Sequence, residues 1–92
     1  MLYTAKCFWP GVTEDAFRLA AVRARQPDEG GEAIFRGALY LLGDEVVLCL
    51  FESSSPAAVK HASERAGLPC ERVIETVWLA ADPPPNERSS RP

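Results

Sequence analysis

The stretch VVLCLF, Val46 to Phe51, constrains this chain more than any other. Successive residues of a strand point to opposite faces, so Val46, Leu48 and Leu50 share one side while Val47, Cys49 and Phe51 share the other. Both sides are apolar. A strand of this kind belongs inside a sheet with cover on each face, yet a chain of 92 residues has material for one core only. The remaining sequence must supply the neighbouring strands, one covering layer and an explanation for the second apolar face.

The punctuation of the chain divides it into six elements. LYTAKCF (2–8) reads as a strand ended by Trp9, Pro10 and Gly11. TEDAFRLAAVRARQ (13–26) reads as a helix, with Thr13 as N-cap, Glu14 and Asp15 at the positive end of the helix dipole, and Pro27 with DEGG as its stop. A second strand is expected over 33–42, a tight turn at GDE (43–45) and a third strand over 46–52, with Gly37 marking a bulge or a close backbone approach. SSSPAAVKHASERAG holds a second helix, with Ser55 as N-cap, Pro56 at its first position and Gly67 just past its end. RVIETVWL (72–79) reads as the last strand. From Ala80 onward the chain carries four of its eight prolines and almost no apolar side chains, which predicts a flexible Pro-rich tail over 80–92 beside one folded domain over 1–79.

The order strand, helix, strand, strand, helix, strand is that of the split β-α-β, ferredoxin-like arrangement, an α+β fold. It implies a four-stranded antiparallel sheet in the order 4-1-3-2, with the third strand inside, as VVLCLF requires. Right-handed crossovers put both helices on one face. Phe17, Ala20, Ala21 and Ala24 form the inward stripe of the first helix, and Val59, Ala62 and Ala66 that of the second. That layer covers one side of the sheet. Leaving the other wet would forgo roughly 1.5–3 kcal/mol for each large side chain that could be buried, and the simplest cover is a second copy of the chain. The expectation is a homodimer packed through its sheets; the plainer alternative is a monomer with an irregular, partly exposed face. Leu19 and Val22, opposite the Phe17 stripe, read as partly exposed apolar residues or as part of a partner contact.

Charge and composition narrow the functional classes. A net charge of −3, with acidic and basic residues interleaved, offers no basic field for nucleic acid. RGALYLL (36–42) has the arginine-glycine-aromatic order of an RNA-recognition strand, but on the second strand rather than the third. No run approaches the roughly 20 apolar residues of a membrane span, and MLYTAKCFWPG lacks the apolar core of a secretory signal, which points to the cytoplasm. Cys7, Cys49 and Cys70 are odd in number and widely spaced, so neither a disulfide framework nor a zinc knuckle is indicated and reduced thiols are expected.

The topology gathers residues that the sequence separates. The first strand ends where the third and fourth begin, so CFWPG (7–11), GDE (43–45) and GLPCER (67–72) should meet at one end of the sheet. Cys7, Trp9 and Cys70 are therefore candidates for a pocket with thiol and aromatic walls, suited to a small apolar ligand. With His61 as a further donor, Cys7 and Cys70 are the candidate soft-metal ligands. The structural alternative has Cys7 packing as a small hydrophobe, Trp9 closing the end of the core and Cys70 on a loop. His61 falls about 140° from the middle of the inward stripe at about 100° per residue, a solvated position. Glu52, just before the second helix, reads as a capping carboxylate, and Tyr3, Tyr40 and Trp78 as strand aromatics for core, dimer or cavity. No phosphate loop, serine triad, paired catalytic carboxylates or H-E-x-x-H motif occurs, so no catalytic residue is assigned.

PGVTED (10–15), LCLFESSSPAAVKHASERAGLPCERVIE (48–75) and the spacing between them resemble a family of small bacterial proteins of undefined function that includes an actinomycete nickel-binding protein. The likeness covers roughly residues 2–79, with ERAGLP after a serine-capped helix as its most specific part. It implies a ferredoxin-like fold, a tendency to dimerise and nickel as a cofactor. Metal-binding members carry histidines in the first strand and around ERAG, where this chain has Lys6 and Cys7, and Ser63 and Leu68. Nickel needs several convergent imidazole or carboxylate donors, so the resemblance carries over the fold but not the metal site. The resulting expectation is a noncatalytic dimeric module that binds a small ligand or a protein partner. Its alternatives are a small-molecule enzyme with a cavity in a dimeric α/β barrel, and a nickel-binding or other metal-binding protein.

Overall fold

The computed structural model describes residues 1–26 and 32–80; the expected stop at 27–31 and all but the first residue of the expected tail lie outside them. The elements are β1 (Leu2–Phe8), α1 (Glu14–Arg25), β2 (Ala33–Leu41), β3 (Val46–Ser53), α2 (Pro56–Arg65) and β4 (Cys70–Thr76). The strands form one antiparallel sheet in the order β2-β3-β1-β4, the ferredoxin-like βαββαβ topology expected from the element order.

Both helices start on the residues that the sequence nominates. The Thr13 hydroxyl accepts from the Ala16 N–H at 3.1 Å, and the Ser55 hydroxyl accepts from the Ala58 N–H at 3.2 Å with Pro56 at the first turn. Each bond satisfies one of the N–H groups that a helix start leaves unpaired. Gly67 follows α2 with φ +79, a left-handed conformation that costs glycine little. Ala20, Ala24, Val59, Ala62 and Ala66 then pack on the face formed by Tyr3, Ala5, Cys7, Val47, Cys49 and Phe51. Leu19 and Val22, on the far side of α1, are half-exposed.

Alternation along β1 and β3 divides the two faces cleanly, with Leu48, Leu50 and Glu52 opposite the core residues of β3. In β2 the alternation breaks. Phe35 pairs with Phe51 and Gly37 with the next residue, Leu50, which leaves Arg36 unmatched in a β-bulge. Gly37 takes φ +146, and a Cβ there would meet nothing within 4 Å, so of the two readings of this glycine the bulge is correct and the close approach is not. Beyond the bulge the parity is inverted. Ala38 and Tyr40 pair with Cys49 and Val47 on the helix side, while Leu39 and Leu41 pair with Leu48 and Val46 on the open side.

The last strand differs from its expected span of 72–79. It begins at Cys70, because Cys7 of β1 pairs there across a register shift, and it ends at Thr76. Val77, Trp78 and Leu79 follow outside the ladder. No helix among the described residues is long and apolar enough to cross a membrane.

Candidate functional site

The face of the sheet away from the helices carries Leu2, Thr4, Lys6 and Phe8 from β1, Val46, Leu48, Leu50 and Glu52 from β3, Ile34, Leu39 and Leu41 from β2, and Arg72, Ile74 and Thr76 from β4. Ile34 is 51% exposed, Leu39 56% and Phe8 51%. On the second apolar side of VVLCLF itself, Leu48 and Leu50 are half-buried and Val46 is buried, and the exposed apolar residues of this face stand around them on β1, β2 and β4.

A cleft of about 350 Å³ is cut into this surface, its lining including Leu2, Arg36, Leu39, Leu50, Glu52 and Trp78 with Gly37 and Ala38 of β2. The bulge creates it. Arg36, the unmatched residue, emerges on the open side, and Gly37 beside it contributes no side chain. Arg36 Nε donates to Glu52 Oε1 at 2.9 Å, and both side chains are about half-exposed. The guanidinium holds the Glu52 carboxyl below the usual carboxylate range. Trp78, past the end of β4, supplies an aromatic wall and is 51% exposed. The cleft thus has apolar walls and one ion pair, the combination that orients a small amphipathic molecule.

Of these residues, Glu52 was expected to cap α2. It does not, because it lies on the open face, while the start of α2 is satisfied by Ser55 and steadied by Ser53, whose hydroxyl donates to the Ser55 carbonyl at 3.1 Å. Trp78 was expected within the last strand and instead lies beyond it. Arg36 enters the sequence reading only as the first residue of RGALYLL, not as a site residue. Its role depends on a bulge and on a partner sixteen residues away, for which Gly37 is the only local sign.

The residues nominated at the opposite end of the sheet are partly gathered. Cys7 and Cys70 are register partners across β1 and β4. Cys7 is fully buried and Cys70 half-buried against the core. Trp9 packs on the margin of the core, and its backbone N–H donates to the Glu45 carbonyl at 2.9 Å. Glu45, at φ +54, also accepts from the Gly11 N–H through Oε2 at 2.7 Å, so the turn after β2 anchors the loop after β1 as the topology requires. His61 is exposed on α2. Among the described residues no three His, Cys, Asp or Glu side chains are grouped as a metal site would need. Tyr3 belongs to the core, and Tyr40 lies at the exposed margin of β2.

Cys49 joins the thiols at this end, in the core with Cys7. Its hydrogen bond to Cys7 holds the Cys7 thiol below the ordinary range, and the same bond, with burial, pushes Cys49 up. Burial and the neighbouring Cys7 raise Cys70.

No family model and no curated protein matches the chain. A solved structure, that of SCO4226 from Streptomyces coelicolor A3(2), is similar with a TM-score of 0.74 and 22% identity, over 87% of this chain and 100% of that one. At this identity the likeness concerns the fold.

Proposed function

We propose that the chain is a noncatalytic binding module that works as a homodimer, closed sheet against sheet, with the Arg36–Glu52–Trp78 cleft holding a small, largely apolar ligand with one polar group at the interface. The observation that carries this reading is the open face itself. Ile34, Leu39, Leu41, Ile74 and Phe8 are exposed together on one side of a sheet whose other side carries both helices and the core. Apolar surfaces of that extent mark interaction sites, and a twofold copy presents a surface of the same chemistry and pleat. Sheets stacked about 10 Å apart would bury the leucines and leave the cleft as an internal space. Its ion pair would supply the polar contact that fixes a ligand's orientation.

Light scattering on the eluting protein tests the assembly. A mass twice the 10.1 kDa of the chain is expected at micromolar concentration, and the single-chain mass overturns the dimer. Titration with 1-anilinonaphthalene-8-sulfonate tests the cleft, because its rings suit the apolar walls and its sulfonate suits Arg36. Saturable binding that is lost in Trp78→Ala is expected; unchanged binding in that variant places the dye elsewhere.

A further inference from the structure

We infer that Cys7 and Cys70 form a reversible cross-strand disulfide by exchange with a low-molecular-weight disulfide, Cys70 receiving the incoming sulfur and Cys7 displacing it.

The geometry rests on the pairing of β1 with β4. Directly opposed residues of an antiparallel pair have Cα atoms about 4.5–5.5 Å apart, inside the roughly 4.4–6.8 Å that a disulfide spans. Cys7 and Cys70 are opposed in this way, with both side chains on the helix side of the sheet. Their thiols also lean in the same direction. Cys7 Sγ donates to the Ala5 carbonyl at 3.6 Å and Cys70 Sγ to the Arg72 carbonyl at 3.5 Å, and both acceptors lie toward the middle of the paired strands. A register shift falls beside the pair, where Lys6 faces Arg72 and Cys7 faces Cys70 so that Glu71 is passed over.

Burial assigns the order of events. Cys7 and Cys49 have no exposed surface, whereas Cys70 does, so an external disulfide meets Cys70. Burial and Cys7 hold the Cys70 thiol above the ordinary range, so alkaline pH speeds the first step: the Cys70 thiolate attacks one sulfur of RSSR, the S–S bond breaks, and RS⁻ leaves with its electron pair and takes up a proton as RSH. The Cys7 thiolate then attacks Cys70 Sγ and releases the second RSH. Two protein thiols and one RSSR become one protein disulfide and two RSH, so atoms and electrons balance. Cys49 stays a thiol and donates to Cys7, which favours the thiolate that the second step consumes. The pair lies on the face opposite the proposed dimer interface, so the two readings stand or fall separately.

The test uses the full chain, fully reduced and then incubated with excess oxidised glutathione. Free thiols are blocked with N-ethylmaleimide before digestion with trypsin. Cleavage after Lys6, Arg18, Arg36, Lys60, Arg65 and Arg72 places the three cysteines on separate peptides. A mass loss of two hydrogens and a linked pair of peptides, 7–18 with 66–72, are expected, and dithiothreitol should reverse both. Cys70→Ser, at a half-buried position at the sheet edge, should lose the change completely. Glutathione that remains on Cys70, a link between Cys7 and Cys49, a link between two chains, or no change of mass would each overturn the inference.

Discussion

Arg36 and Glu52 meet at 2.9 Å on the open face of the sheet, joined across a bulge that leaves Arg36 without a partner in the ladder. The pair makes stability depend on pH in a definite direction. The Glu52 carboxyl is lowered by Arg36, so the folded chain binds that proton more weakly than the unfolded one. The contribution is complete above the unfolded value near 4.5 and is lost as pH falls through the folded one. Glu52→Gln should therefore be less stable than the parent at neutral pH, with the difference vanishing in acid. Urea denaturation at about pH 7 and about pH 3 measures this, and a difference that persists in acid would assign the effect to packing instead.

Leu39→Glu places a charge on the face proposed to meet a second copy. Because Leu39 is 56% exposed in the single chain, the substitution should change the stability of that chain by no more than about 0.5 kcal/mol. A buried, unpaired carboxylate at the interface should nevertheless abolish the dimer. Sedimentation velocity separates the two effects, and a Leu39→Glu dimer would remove the open face from the interface.

Phe51 is wholly buried and packs edge to face against Phe35, with ring centroids 5.4 Å apart. Phe51→Ala should cost about 3–5 kcal/mol, a large part of the stability of a domain this small. Thermal unfolding followed by circular dichroism reads it, and a loss under about 1 kcal/mol would mean that the core closes over the cavity.

Ser55→Ala removes the acceptor at the start of α2 while leaving Pro56 in place. A loss of about 1 kcal/mol is expected in chemical denaturation. Ser55→Asp should recover it, since a carboxylate at that position accepts the same N–H and complements the helix dipole.

What the sequence made legible was local. Thr13, Ser55, Pro56 and Gly67 announce the helix ends within a few residues of where their bonds form, and VVLCLF displays both of its faces without reference to any partner. What escaped was set by pairing between distant strands. The parity of Leu39 and Leu41 depends on Phe35 and Gly37 taking consecutive partners in β3, which no pattern within AIFRGALYL states. The start of β4 is fixed by Cys7, far away in sequence, rather than by its own residues. Glu52 looked like a cap because it precedes a helix, yet alternation from Phe51 carries it to the other face. The topology correctly brought Cys7 and Cys70 to one end of the sheet, since that required only the order of the strands.

The bulge at Arg36 also bears on how such a face can change over generations. Every other residue of β2 is committed to a neighbour in β3 through the ladder, so altering it disturbs a matched rung, whereas Arg36 holds only its side-chain pair with Glu52 and has an unobstructed glycine beside it. An acid, an amide or an aromatic tip could replace the guanidinium there while each rung of the ladder stays where it is. One supernumerary residue thus gives the scaffold a place where chemical preference can drift independently of architecture.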